Sequence, residues 1–322
     1  MKMTDGNYDI SVLILTYNPS WEKLKNTVVS ALVQKNLNFE IIVSDDGSEN
    51  NYFGKLEELF LVYNFTNYKL LHSEKNEGTV NNLNKALLAS KGIYIRAISP
   101  GDYLFSEDSL TNWLKYVKQK NIDVCFGLPV YYNDDDELKF IKHKSAPELM
   151  YLYRKRNENT IHREYLLMDD NILGAAYLVK KDLILKYNSM MVNKVKLFED
   201  FAYTLMVFEH IPIYMYDKFV VWYEFGNGVS TSKNTKFYEI MHKDWMEMHN
   251  IMLTLDSKTK FDKKFKKCIL RYNKLADRKF LCRVMRYVVF PEMFLWLILK
   301  LIRREFTETD VDLTFFNNIR NS

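Results

Sequence analysis

The sequence predicts an α/β protein: an open, mostly parallel twisted sheet with helices on both faces, followed by a C-terminal helical extension. Three observations lead there. The first hundred residues repeat one grammar of short β-rich apolar run, polar turn and amphipathic helical stretch, which favours parallel strands joined by right-handed crossovers. The chain has 322 residues, 48% hydrophobic and 27% charged, enough to bury a large core and unlike a disordered chain. Charge is unevenly spread: residues 255–306 hold 15 Lys/Arg against 5 Asp/Glu, a local +10 that leaves the remainder at −6 within an overall +4. The expected division is a domain over 1–230 and a basic, amphipathic helical region over 231–322.

The elements follow in order. Asp9–Leu15 is a β-rich run too short for a helix; the turn TYNPS and an amphipathic helix over Trp21–Val33 come next. Phe39–Ser44 is a second apolar run, closed by DDGSENN, whose residues are turn formers. Tyr52–Tyr63 has helical spacing. A strand at Tyr68–His72, a helix at Thr79–Ala89 and a strand at Ile93–Ile98 complete the series. Beyond Asp102 the grammar loosens: a helix over Asp108–Gln119, a strand over Ile122–Tyr132 ending in the acidic turn NDDDE, a mixed segment Asn171–Asn188, a helix over Glu199–Phe208 and a last strand near Phe219–Tyr223.

Several function classes are disfavoured. There is no GxGxxG after the first strand, no GxxxxGK[ST], no GxSxG and no HExxH, which argues against dinucleotide-binding, P-loop, serine-hydrolase and zincin chemistry. Cys125, Cys268 and Cys282 show no CxxC spacing, which points to a reducing compartment and away from a cysteine-based zinc site. His242 and His249 lie on a helical stretch with no intervening ligand and are read as packed or solvated. What remains is a set of polar loops at the carboxyl ends of the strands, where open parallel sheets bind ligands: Thr16-Tyr17-Asn18, Asp45-Asp46-Gly47-Ser48 and Ser99-Pro100-Gly101-Asp102. Two such loops rich in Asp and Gly suggest a nucleotide with a metal.

The order of these loops resembles a family. ISVLILTYNPSWEKLKNTVVSALVQ, FEIIVSDDGSENN, NEGTVNNLNKALLASKGIYIRAISPGDYL and LFEDFAYTLMVF are similar to the inverting family 2 glycosyltransferases of GT-A fold, over about Asp9 to Ser230. The resemblance implies that Thr16, Tyr17, Asn18 and Asp45 meet the nucleoside of a sugar nucleotide, with Asp46 and Gly47 forming the turn beside it. It assigns Asn76, Gly78 and Asn84 to the donor as well; Leu83 stands where the family often has an Arg, so that positive contact is absent or comes from elsewhere. In the acidic motif Ser99 and Gly101 occupy the first two places and only Asp102 remains, as donor contact and ligand for Mn²⁺ or Mg²⁺, an ion that needs only one or two protein carboxylates. Asp200 is the implied base, taking the proton of an attacking acceptor hydroxyl. Glu199 and Trp222 are implied on the acceptor side, with the loop Gly226-Asn227-Gly228-Val229-Ser230 near the diphosphate.

The tail has its own signature. Residues 258–286 are rich in Lys and Arg, and 287–302 carry only Glu292 and Lys300 as charges, interrupted by Pro291. Sixteen helical residues span roughly 24 Å, short of a ~30 Å hydrocarbon core. A helix lying in an anionic headgroup region, anchored by Phe294 and Trp296, is the expectation over 258–304, with packing on the catalytic domain or a second subunit as the alternative. The N-terminus lacks an apolar signal stretch, so a cytoplasmic protein at the inner face of the membrane is expected. The sequence reading is thus a glycosyltransferase using a UDP-sugar and a saccharide or lipid-linked acceptor in surface polysaccharide synthesis, without nucleic acid as a partner. Its rivals are a non-catalytic sugar-nucleotide scaffold and a sugar-1-phosphate nucleotidyltransferase.

Overall fold

A computed structural model describes residues 8–134, 137–226, 235–274 and 279–322. The alternating grammar folds as read: β1 (Tyr8–Thr16), α1 (Trp21–Leu32), β2 (Phe39–Asp45), α2 (Phe53–Val62), β3 (Tyr68–His72), α3 (Thr79–Ala89) and β4 (Gly92–Ile98). After them come β5 (Tyr103–Leu104), α4 (Ser109–Lys120), β6 (Val124–Asn133), β7 (Lys139–Phe140), α5 (Met150–Lys155), α6 (Glu158–Met168), β8 (Tyr177–Lys180), α7 (Lys181–Met191), α8 (Phe201–Phe208) and β9 (Tyr214–Glu224). The helical region holds α9 (Thr235–Thr254), α10 (Lys260–Lys274), α11 (Lys279–Val289), α12 (Glu292–Arg303) and α13 (Thr314–Arg320).

One open sheet runs β3-β2-β1-β4-β8-β6-β9-β5, with β7 paired to β6. The first four strands are parallel, and their register aligns Thr16 with Asp45, Asp45 with His72, and Ile14 with Ile98. The three polar loops therefore emerge at one edge. Beyond β4 the sheet is mixed: β8 runs antiparallel to β4 and β6, while β6 and β9 are parallel. The first strands are buried on both faces, as continuous apolar runs require. Leu13, Ile42 and Ile95 pack toward α3, α7 and α8; Val12, Ile41 and Tyr94 pack toward α1 and α4.

The C-terminal helices fold back onto this body. Lys300 of α12 lies 3.1 Å from Glu148 and 3.6 Å from both Glu164 and Asp170, and Trp296 is buried in the main core. Trp296 is thus a packing residue, which corrects the expectation of an interfacial anchor; the lone Glu164–Asp170 carboxylate pair gives Lys300 a reason to turn the same face inward. Phe294 does face solvent, together with Val288, Ile298, Leu301 and Ile302. At the other end Phe316 of α13 packs on Trp222, Tyr103 and Tyr132. No helix among the described residues is long and apolar enough to cross a membrane.

Candidate active site

The first two loops are stitched into one rim. Asn18, with φ +44, donates its N–H to Ser48 Oγ at 2.7 Å and accepts from the Glu49 N–H at 3.3 Å. Asp45 is fully buried. Its carboxylate receives the Thr16 hydroxyl at 3.3 Å, the Ser48 N–H at 2.9 Å, the Ser48 hydroxyl, and a contact from His72 Nδ1 at 2.8 Å. Four internal partners make Asp45 the organiser of the loop rather than an open edge for a base, a correction to the sequence reading. Tyr17, half exposed, and His72 stand at the rim instead.

Asp46 joins the second loop to the third segment. Its oxygens accept the N–H groups of Glu77 at 2.9 Å and Gly78 at 2.8 Å, and its own N–H donates to Thr16 O at 2.9 Å. Burial raises its pKa, and those two amides and Lys85 oppose the rise. Gly47 has φ +78, and a Cβ there would lie 2.5 Å from the Lys75 backbone, so only glycine lets the two segments approach. Asn76 lies partly buried in the segment Gly47 abuts. The residue that sequence reasoning missed here is Lys85: its Nζ is 2.9 Å from Asp45 O and 2.6 Å from Ser73 Oγ. One helical turn puts Lys85 on the face that Asn82 also turns to Ser44, two residues beyond Leu83. Asn84, partly buried, accepts from Asn188 of α7 at 3.5 Å.

SPGD forms a tight turn closed by the Asp102 N–H on Ser99 O at 2.9 Å. Thr27 accepts the Gly101 N–H at 3.0 Å, and the Tyr132 hydroxyl caps Gly101 O. A Cβ at Gly101 would fall 2.2 Å from Glu224 Oε2. The carboxylate of Glu224, arriving from β9, therefore fills the space beside the acidic position that Gly101 has vacated. Asp102 is buried, accepts the N–H groups of Ser99 at 3.4 Å and Glu224 at 3.3 Å, and is pushed up to about 7 by burial against the pull of those amides and of Arg96. Arg96 is itself fully buried on β4, with Nε and Nη2 lacking hydrogen-bond partners among the described residues and a pKa brought down to about 10 by burial. Glu224 pairs with Lys23 of α1 at 2.5 Å.

The Glu224 charge lies near enough to Asp102 to help raise its pKa, and two carboxylates so placed are chemistry that fits a hard divalent cation with retained waters, which would meet Lys23 as a competing charge.

The acceptor-side pair comes next. A narrow pocket of about 40 Å³ is lined by Leu15, Leu83, Ile98, Ser99, Gly174, Glu199, Asp200 and Tyr203 among others. It brings the ends of β1 and β4 to the start of α8, so Asp200 and the third loop share one wall. Asp200 starts α8 without a side-chain cap bond; its carboxylate instead meets the Gly174 N–H, and a Cβ at Gly174 would lie 2.0 Å from Oδ1. Burial raises Asp200 to about 7, with the Gly174 amide opposing. Burial and then the Asp200 charge hold Glu199 well above the usual carboxylate range. Near neutral pH the pair therefore keeps one proton, and Asp200 is poised to accept another. Glu199 and Asp200 both line this pocket. Trp222 does not: it is fully buried, stacks on Phe105 at 5.0 Å and donates its indole N–H to Phe105 O at 3.0 Å. It is a core residue of β9 under α13, which corrects the acceptor assignment. Of the loop after β9, residues 227–230 lie outside the described residues; Gly226 has φ +116.

An open sheet whose strand-end loops gather acidic and amide groups above a half-buried carboxylate pair is the arrangement of the GT-A class of glycosyltransferases. Residues 11–183 match Glycosyl transferase family 2, and the chain belongs to that family. Among curated relatives, glycosyltransferase GlyG of Streptococcus pneumoniae is 32% identical over 39% of this chain and 40% of its own length. An uncharacterized glycosyltransferase of Methanocaldococcus jannaschii is 26% identical over 57% of this chain and 60% of its own. The chain thus spans about half the length of these relatives. In fold it is similar to S. aureus TarS 1–349 (TM-score 0.55, 19% identity, 88% of this chain and 73% of that one). It is likewise similar to the mannosyltransferase PcManGT of Pyrobaculum calidifontis (TM-score 0.54, 12% identity, 92% and 81%).

Proposed function

We propose that this glycosyltransferase moves a sugar, with inversion, from a UDP-sugar to a hydroxyl of a saccharide or lipid-linked saccharide in surface polysaccharide synthesis. Residues 1–230 form the transfer domain, and 231–322 its helical extension. The observation that carries the reading is the pocket that sets Asp200, with its pKa about 7, against Ser99 and the ends of β1 and β4. A base poised near the working pH is the efficient choice for taking a proton as the glycosidic bond forms. In-line attack puts the acceptor oxygen on the Asp200 side of the anomeric carbon and the leaving nucleoside diphosphate on the loop side. Asp200 takes the hydroxyl proton, and protonated Glu199 donates a hydrogen bond to the acceptor. Tyr17 and His72 meet the base, Asp46, Gly47, Asn76 and Gly78 shape its cradle, and Lys85 faces the donor's negative charge. Asp102 with Glu224 would hold Mn²⁺ or Mg²⁺, which supplies charge neutralisation for the departing diphosphate. A nucleotide-sugar donor is in keeping with TarS solved with UDP-GlcNAc and PcManGT with GDP-Man and Mn²⁺.

The helical extension favours an anionic membrane surface at the cytoplasmic face. Phe294, Ile298, Leu301 and Ile302 of α12 and Val288 of α11 are exposed apolar residues, Phe294 resting on Tyr287, and exposed Lys263, Lys264, Lys267 and Arg303 lie on the same extension. Apolar insertion plus about 1 kcal/mol per basic residue near anionic lipid holds a peripheral enzyme. The function is tested by incubating the protein with a panel of sugar nucleotides, acceptors and Mn²⁺ or Mg²⁺, and measuring nucleoside diphosphate release from wild type and Asp200→Asn. Release by wild type alone supports the reading; equal release by both removes Asp200 as the base. Binding without release in any combination supports the scaffold instead.

A further inference from the structure

Away from the pocket, α6, the end of α8 and the start of α10 meet at three side chains. His162 and His210 stack face to face, with ring centroids 3.9 Å apart and planes 16° apart. Both present Nε2 to one carboxylate: His162 lies 3.2 Å from Asp262 Oδ1, and His210 3.0 Å from Oδ2. Asp262 is fully buried and His162 nearly so.

The proton inventory is unbalanced. His162 Nδ1 lies 2.7 Å from the Val207 carbonyl oxygen, a contact that only an N–H can make, so in the neutral ring Nε2 is a bare lone pair. That lone pair points at a carboxylate oxygen in a buried place, an arrangement that a metal ion or a proton between them would relieve. Protonating Nε2 would lay an imidazolium face to face on a second imidazole. Oδ2 is already crowded by the Lys258 N–H at 2.8 Å and the Thr259 N–H at 2.7 Å as well as His210, whereas His162 is the one hydrogen-bonding partner of Oδ1 among the described residues. Those amides belong to the capping box in which Thr259 and Asp262 start α10; they fix the carboxylate independently of any ion. His210 adopts φ +59, an uncommon conformation for a non-glycine residue that aims its ring here.

We propose that His162, His210 and Asp262 bind Zn²⁺ or a similar transition metal through the two Nε2 atoms and Oδ1. The 3.2 Å between His162 Nε2 and Asp262 Oδ1 matches the edge of about 3.3 Å between ligands ~2.0 Å from a tetrahedral ion, and the three ligand atoms lie within 4.8 Å of one another. Imidazole with one carboxylate selects such metals over Mg²⁺ or Ca²⁺, and an Nδ1–H on a backbone carbonyl is the usual outer-shell support. The His210 side, 23% exposed, gives the ion access and room for water. The metal clamps α10 to the end of α8, whose other end carries Asp200 about 12 Å away along the helix. It is thus a structural site, independent of the transfer reaction and of Asp102.

The test strips the full-length protein with chelator, supplies Zn²⁺, removes excess by gel filtration, and measures bound metal by mass spectrometry together with the melting temperature. About one Zn²⁺ per chain and a raised melting temperature are expected, with affinity down tenfold or more in His162→Gln and in His210→Gln. Exposed His143→Gln and Asp102→Asn should retain the ion. Absorption by Co²⁺-loaded wild type reports tetrahedral imidazole ligation even if a variant fails to fold. No retained metal in wild type, retention unchanged in both histidine variants, or a Co²⁺ spectrum without tetrahedral bands overturns the proposal.

Discussion

Asp200→Asn should make the protein more stable and nearly inactive at once. The folded carboxyl titrates at about 7 against an ordinary value of 3.8. A carboxyl raised on folding costs nothing below the unfolded pKa, and its cost grows as pH rises from 3.8 to 7, then levels off. At 1.36 kcal/mol per unit, the penalty is on the order of a few kcal/mol at pH 8 and smaller at pH 5. Asparagine keeps an acceptor for the Gly174 N–H and removes the charge. With an unfolding entropy of ~2.1 cal/mol/K per residue, 322 residues give about 0.7 kcal/mol/K, so the melting temperature should rise by a few degrees at pH 8 and by less at pH 5. Turnover should fall by about 10²–10⁴, the usual contribution of a positioned base, and the wild-type rise of rate through pH 7 should vanish. Scanning fluorimetry at both pH values and nucleoside diphosphate release from pH 5 to 9 read these effects. A variant less stable than wild type at pH 8, a stability gap that narrows from pH 5 to 8, or an unchanged rate refutes the assignment.

Gly101→Ala drives a Cβ into Glu224 Oε2; we expect about 1–3 kcal/mol of destabilisation by overpacking and weaker Mn²⁺ dependence of donor binding, read by calorimetry. Lys85→Met removes the ammonium beside Asp45 and Asp46; UDP affinity should drop about tenfold, the scale of one charge-assisted contact, while the melting temperature changes little. Leu301→Ser with Ile302→Ser should leave stability within about 0.5 kcal/mol, since both are exposed, yet reduce flotation with anionic vesicles. Equal flotation by variant and wild type would instead point to packing against another chain.

Most of the parallel half was legible in the sequence because each strand and helix there is a local pattern closed by its own turn residues. The four motifs also pointed to Asp102, Glu199 and Asp200, which the fold brings toward one edge, since strand-end loops of a parallel sheet must gather there. The short strands β5, β7 and β8 were not legible: two to four residues carry no period, and their pairing is set by partners far along the chain.

The roles that failed share one cause. Trp222 was read from its place after the last strand and Trp296 from residue type, but whether an aromatic ring faces solvent depends on what packs over it, and α13 and α6 are distant in sequence. Lys85 was missed because the face a helical residue presents depends on how the helix is rolled against the sheet. The sequence by itself determined the fold class, the order of the loops and the opposed charges of domain and tail, all carried by local composition and spacing. Only the tertiary structure decided that Glu224 stands beside Gly101, that Gly174 admits Asp200, and that His162, His210 and Asp262 converge. Each joins residues at least 26 positions apart, and burial, which sets their chemistry, exists only once the chain has closed around them.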